Sequence, residues 1–310
     1  MSTAVIYDRA EVLAWTGPPK RPPPRPAAQA VAGFAPRLVG PACILASCAS
    51  LQTASALATT VFAAFGPVGT GALRFLPGAL VLLAIVRPRF RGRSTCSWLT
   101  IAGAGAAVVA TNFLVYEAIA RIPLGAAMTL VFLGPLALAL LAARRRLDAA
   151  WAFAALAGVI MLSGEPAGAS PTGVAFALAA GGAVAVTTLI TRRVADQTDG
   201  HDGLALSISV AALVTLPVGL PVALGSPDLG GLGIVSAVGL LGIALPYALE
   251  FDALRRVGVK TYSILLSLDP AVAGLAGLVL LGQHLSPAEV FGIALVMAAS
   301  VGAVASRPAG

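Results

Sequence analysis

Charge is what this 310-residue chain has least of. Lys, Arg, Asp and Glu make up 11% of it against 58% hydrophobic residues, too little polar surface for a soluble domain of this length to show to water. Histidine occurs twice, as His201 and His284 in separate polar gaps, which removes a histidine-based metal or nucleophile-base site. Cysteine occurs three times, and Cys43 and Cys48 lie five apart, off a shared helical face, while Cys96 stands alone. Neither a disulfide framework nor a metal spacing follows, and nothing points to a prosthetic group. The apolar stretches show no alternation of period two, which argues against a barrel. Backbone inside lipid must satisfy its own polar groups, so helices remain.

What is present is a series of ten apolar runs, near residues 38–57, 65–86, 98–118, 123–143, 149–163, 171–191, 203–225, 230–249, 261–282 and 286–305. A bilayer core about 30 Å thick takes roughly 20 helical residues to cross, so each run except the short fifth is long enough. With the N-terminus in the cytoplasm, every Lys and Arg except Arg74 and Arg121 falls at a cytoplasmic position. That bias is the positive-inside pattern for a multi-pass protein with an even number of spans and both termini cytoplasmic. The net charge of +7 is thereby explained by topology and contact with anionic lipid, with no reason to invoke nucleic acid. Residues 1–37 differ: Pro18, Pro19, Pro22, Pro23, Pro24 and Pro26 are mixed with Lys20, Arg21 and Arg25. They read as a disordered, proline-rich cytoplasmic tail, in which a proline-reading partner domain would find a ligand.

The chain also echoes itself at a shift of 135 residues. The segment NFLVYEAIARIPLGAAMTLVFLGPLA, 112–137, matches YALEFDALRRVGVKTYSILLSLDPAV, 247–272, at Leu114/Leu249, Ala118/Ala253, Arg121/Arg256, Leu130/Leu265, Leu133/Leu268 and Pro135/Pro270. Tyr116/Phe251 and Glu117/Asp252 are conservative matches. The echo relates the third and fourth spans to the eighth and ninth, as a duplication of five helices does. Five is odd, so the second copy enters the membrane from the opposite side. Residues 38–165 and 171–305 are thus read as two inverted five-helix repeats, an arrangement that secondary transporters use to place a site between the repeats near the midplane.

The stretches IARIPLGAAMTLVFLGPLALAL and LPYALEFDALRRVGVKTYSILLSLDPAVAGLAGLVLLGQHLSPAEVFGIALVM resemble the drug/metabolite transporter superfamily, EamA type. So do SLQTASALATTVF in the first span and GALRFLPGALVLL in the second. Within the superfamily they look like the threonine/homoserine exporter branch, over essentially residues 38–305. The resemblance implies an all-α, ten-helix carrier of the inner membrane that exports small amino acids or related metabolites against protons. One departure stands out: Val131 occupies a fourth-span position where relatives often carry Glu.

Polar residues inside the spans are the candidate site. Asp269 lies about eight residues into the ninth span beside Pro270, which breaks a helical hydrogen bond. A carboxyl at that depth is expected to face a water-filled cavity, bind substrate and carry the coupling proton. Arg74, in the second span, is the counter-charge, either to Asp269 or to a substrate carboxylate. Glu250, one turn from Pro246 and Tyr247, is expected to face the cavity; Asp252 is expected to pair with Arg255 or Arg256, and Glu117 with Arg121. Gln52, Thr53, Asn112, Tyr116, Thr129, Tyr247, Ser263 and Ser267 form a second tier able to hydrogen-bond an amino acid, although Ser and Thr in membrane helices commonly bond their own backbone. Small residues at Gly173, Ala177, Gly181 and Ala185, and at Gly239, Gly242, Gly274 and Gly277, are expected to let helices approach closely.

The function expected is a secondary active transporter working by alternating access. The alternatives are a transporter of another metabolite or drug, and a multipass membrane enzyme acting on lipid-linked substrates. An enzyme would need two ionisable groups within reach at one membrane face. Expected partners are a small-molecule substrate, protons and membrane lipid, with a homodimer left open and no cofactor or nucleic acid.

Overall fold

The computed structural model describes residues 35–141, 146–163, 170–198, 202–225, 228–256 and 265–305. The proline-rich tail, apart from its last three residues, and Ser263 fall outside these residues, as do the side chains of Asp252, Arg255 and Arg256.

Among the described residues there are ten helical rods and no strand. They are α1 (Ala35–Thr60), α2 (Phe62–Val86), α3 (Thr95–Ile119), α4 (Leu124–Leu141), α5 (Arg146–Ser163) and α6 (Pro171–Gln197), followed by α7 (Asp202–Gly225), α8 (Leu229–Arg256, in three pieces), α9 (Asp269–Leu281) and α10 (Pro287–Ala305). Six of the rods, α1, α2, α3, α6, α7 and α8, are long and apolar enough over their described residues to cross a membrane, while α4, α9 and α10 are shorter apolar helices. Outward-facing side chains are apolar: Leu80, Leu99, Phe153, Leu213, Leu229 and Val279 are each more than half exposed. In water such a surface would aggregate; against acyl chains it is at rest.

Two rods are interrupted. In α2, Gly66 adopts φ 67, ψ 165 before Pro67, after which the helix runs on through Arg74, whose own φ −66, ψ −23 is helical. A positive φ of this kind is open to Gly at no steric cost. In α8, the straight piece Leu229–Gly239 passes into a π-helical turn, Leu240–Ala244, just before Pro246, and resumes as Leu245–Arg256. Proline brings no N–H to the ladder, and π-turns of this type concentrate at functional sites. Ser50 Oγ donates to the Leu241 carbonyl at 2.6 Å, so α1 is tied to the irregular turn.

The ninth span also departs from expectation. Instead of a continuous helix kinked at Pro270, helical residues 265–266 end in a turn at Ser267 and Leu268, and α9 starts afresh at Asp269 with Pro270 in its first turn. Proline is well tolerated there because first-turn N–H groups have no partner in their own helix. Asp269 therefore sits at a helix N-terminus inside the bundle, where the helix dipole favours a carboxylate.

Helix pairing interleaves the two expected halves. α2 packs on α7, α4 on α9 and α5 on α10, each on the helix five places further along; α6 packs on α3 and α4, while hydrogen bonds tie α1 to α8 and α9. Small residues set the close approaches. A Cβ on Gly134 of α4 would lie 1.8 Å from the Gly181 carbonyl of α6, and one on Gly125 would lie 2.7 Å from Gly274 Cα of α9. Loops separated by an even number of crossings meet. Arg93, between α2 and α3, bonds Asp202 at the start of α7 at 2.9 Å, and Gln283, between α9 and α10, accepts from the Leu124 N–H at 3.1 Å. Glu117 and Arg121 form the expected ion pair, with the Arg121 guanidinium 4.9 Å from the Phe176 ring.

Candidate solute site

Arg74 points inward from α2 with only 4% of its surface exposed. Its Nη1 donates to the Tyr116 hydroxyl at 2.6 Å and its Nη2 to the Asn112 side-chain oxygen, both from α3. Asn112 is oriented for this because its own amide nitrogen donates to the Val108 carbonyl at 3.0 Å. The guanidinium carbon also lies 4.9 Å from the Tyr116 ring centroid and 5.6 Å from that of Phe75, distances at which a ring face attracts a cation. Room for the group comes from the π-turn of α8: a Cβ on Gly242 would stand 3.2 Å from Nη1, and one on Gly239 would stand 2.4 Å from the Arg74 carbonyl.

Everything that holds Arg74 is neutral. Among the described residues no carboxylate lies within 4 Å of it, and its Nε is buried with no hydrogen-bond partner. A buried guanidinium with no carboxylate in contact and one donor open has the hydrogen-bonding capacity to take an anion. The space beside it is a cavity of about 280 Å³, slightly below the roughly 300 to 1,000 Å³ of drug-sized sites and so matched to a small solute. Asn112, Tyr116, Tyr247, Glu250, Thr111 and Ser55 give this cavity its polar groups, and Val115, Met128, Val131, Val184 and Ile208 an apolar wall. Glu250 supplies the negative pole and accepts from Ser47 Oγ of α1 at 2.8 Å.

The sequence-based candidates thus divide. Arg74, Asn112, Tyr116, Tyr247 and Glu250 come together on this cavity, whereas Asp269, Gln52, Thr129 and Ser267 are not among its lining residues. Thr129 is fully buried and donates to the Gly125 carbonyl one turn back at 2.7 Å. Ser267 is buried in the turn before α9. Asp269 meets Gln52, whose Nε2 donates to Oδ2 at 2.8 Å, and both lie beside the Cys48 thiol. The reason is the angle between neighbours on α1. Successive residues on a helix differ by about 100°, so Leu51 and Ser55 face the cavity with Ser47 on the same stripe, while Cys48 and Gln52 face Asp269. Sequence reading passed over Ser47, Ser55 and Thr111, although the four-residue spacing of Ser47, Leu51 and Ser55 carried the signal.

Comparison with known proteins places this architecture. The profile of the EamA-like transporter family matches residues 171–305. The chain is 34% identical over 265 residues to the threonine/homoserine exporter RhtA of Escherichia coli (strain K12), covering 84% of this chain and 89% of that protein. The chain belongs to the EamA-like transporter family. The RhtA protein of Salmonella typhimurium (strain LT2) is matched at the same 34% identity and coverage. A solved crystal structure shares the family member's fold, with a TM-score of 0.57 and 23% identity over 88% of this chain and 96% of its own. Membership in a transporter family sets aside the lipid-enzyme alternative, and no group of metal ligands occurs among the described residues. The EamA protein is a multi-pass membrane transporter, and the expected ten-helix fold is the one observed.

Proposed function

We propose that this EamA protein is a secondary active transporter that exports small amino acids of the threonine/homoserine kind, or closely related metabolites, across the inner membrane. It works by alternating access of two inverted five-helix units, exchanges solute for protons, and has both termini in the cytoplasm. The observation that carries the reading is Arg74: a buried cation on a small cavity, held by neutral acceptors and with Nε unoccupied. A solute carboxylate completes its hydrogen bonding, Glu250 receives the ammonium, and the apolar wall accepts a short neutral side chain. The relatives named as threonine/homoserine exporters support the choice of solute. The pairing of α2 with α7, α4 with α9 and α5 with α10 supports the two-unit mechanism.

The test uses inverted membrane vesicles, in which the cytoplasmic face is outermost. Acidifying the lumen drives protons out and labelled threonine or homoserine in; vesicles lacking the protein do not accumulate it. Failure to accumulate any small neutral amino acid under this gradient would overturn the proposed solute class.

A further inference from the structure

The contact between Gln52 and Asp269 is complete on one side and open on the other. Nε2 of Gln52 donates to Oδ2 of Asp269 at 2.8 Å. The two remaining atoms, Gln52 Oε1 and Asp269 Oδ1, are both buried, and among the described residues neither has a hydrogen-bond partner. With Asp269 ionised, both are acceptors and neither can serve the other. Burying acceptors without donors is unfavourable. A single proton on Oδ1 changes this: the O–H becomes a donor to Oε1, and acid and amide close a ring of two hydrogen bonds that satisfies both open atoms.

Two features of the surroundings favour a carboxylate, the α9 N-terminus and the Cys48 thiol, a weak donor beside Asp269, but neither places a hydrogen bond on Oδ1 or Oε1. α1 offers the Cys48 thiol, and α8 brings the carboxylate of Glu250 into electrostatic range. α4, packed against α9, contains no titratable residue in Leu124–Leu141. The one titratable residue of α10, Glu289, is engaged with Ser286 at that helix's start. Among the described residues no Lys or Arg forms an ion pair with Asp269.

We propose that Gln52 is the positioning residue of a buried proton site, holding Asp269 in its neutral, protonated form as an acid–amide pair on the stripe of α1 next to the one that faces the solute cavity. This rests on the proton-exchange reading above and deepens it by separating the proton's position from the solute's. The proton comes from water when the pair opens toward one side of the membrane and returns to water on the other. Because Cys48 and Gln52 are adjacent on α1 to Ser47 and Leu51, a rotation of that one helix moves the proton site and the edge of the cavity together.

Infrared difference spectroscopy of the reconstituted full-length protein, titrated in pH without any solute, reads the site directly. A protonated carboxyl has a C=O stretching band distinct from that of a carboxylate. The expected result is that one of the pH-dependent carboxylic-acid bands is lost in Asp269→Asn. In Gln52→Leu, where Oδ2 no longer accepts from an amide, the band moves to higher frequency. A purely structural role for Gln52 would not move it. Loss of no band in Asp269→Asn, or an unchanged frequency in Gln52→Leu of the band that Asp269→Asn removes, overturns the proposal. Gln52→Met gives the same reading should the leucine variant fail to assemble. No solute enters the measurement, so its failure is distinguishable from a failure of the transport reading, which the vesicle experiment judges.

Discussion

Two charged side chains inside this bundle are stabilised in opposite ways. Arg74 sits inside α2, is held by the hydroxyl of Tyr116 and the amide oxygen of Asn112, and opens onto a cavity. Asp269 sits at the restart of α9, is met by the side chain of Gln52, and lies off that cavity. Charge in a membrane interior is costly and persists where it is used, but the two uses differ. Among the described residues Arg74 is hydrogen-bonded by neutral groups alone and keeps Nε open, which suits it to an anion from outside. Asp269 can satisfy its neighbours by gaining a proton, and so needs no counter-ion. A fixed cation suits a solute anchor; a carboxyl that can be neutral suits a proton carrier.

The comparison can be broken most directly at Arg74. In Arg74→Ala, solute exchange in proteoliposomes should fall about 100-fold or to background, since hydrogen bonds to charged groups contribute about 1.5–3 kcal/mol each and 1.4 kcal/mol is tenfold. Arg74→Lys should not restore it, because one ammonium cannot hold Asn112, Tyr116 and a carboxylate in the guanidinium's planar fork. Activity in the lysine variant near that of the parent would remove the anchor role.

Asp269→Asn should abolish accumulation driven by a pH gradient while reducing counterflow of labelled against unlabelled solute at equal pH much less. An amide can make the same two-point ring with Gln52 but carries no exchangeable charge. Equal losses in both assays would place Asp269 with the solute instead. A smaller effect is expected from Glu250→Gln, a weakening of about tenfold in amino-acid exchange by loss of one charge-assisted bond to the ammonium. The matching 2-hydroxy acid, which has no ammonium, should lose little; parallel losses for both solutes would move Glu250 out of the recognition role. Least of all, Tyr116→Phe removes one neutral acceptor from Arg74 and should raise the apparent KM about 3- to 10-fold, the equivalent of about 0.5–1.5 kcal/mol. A KM unchanged in that variant would show that Asn112 alone fixes the guanidinium.

Much of this molecule was legible before any fold was known. The absence of charge over long runs required helices in lipid, because only helices or closed barrels satisfy their backbone there, and the placement of Lys and Arg set which loops share a side. Arg74, Asn112, Tyr116, Tyr247 and Glu250 stood out by being polar inside apolar runs. The pairing of Glu117 with Arg121 followed from helical spacing alone, and so did the close approaches of Gly181 and Gly274, whose lack of a side chain admits a neighbouring backbone. Local rules of this kind act within one helix, and one helix's residues are enough to apply them.

The sequence could not say which polar residues share a cavity, because that depends on how ten rods rotate about their own axes. Asp269 and Arg74 looked like partners, yet α1 stands with Cys48 and Gln52 toward the aspartate and Leu51 and Ser55 toward the arginine's cavity. A shift of one residue along a helix turns a side chain by about 100°, and only packing against α8 and α9 fixes that angle. Broken α2 and the π-turn of α8 were likewise beyond local reading: Gly66, Pro67, Gly242 and Pro246 permit the irregularities, but it is the fit of the α8 backbone against Arg74 that turns permission into structure.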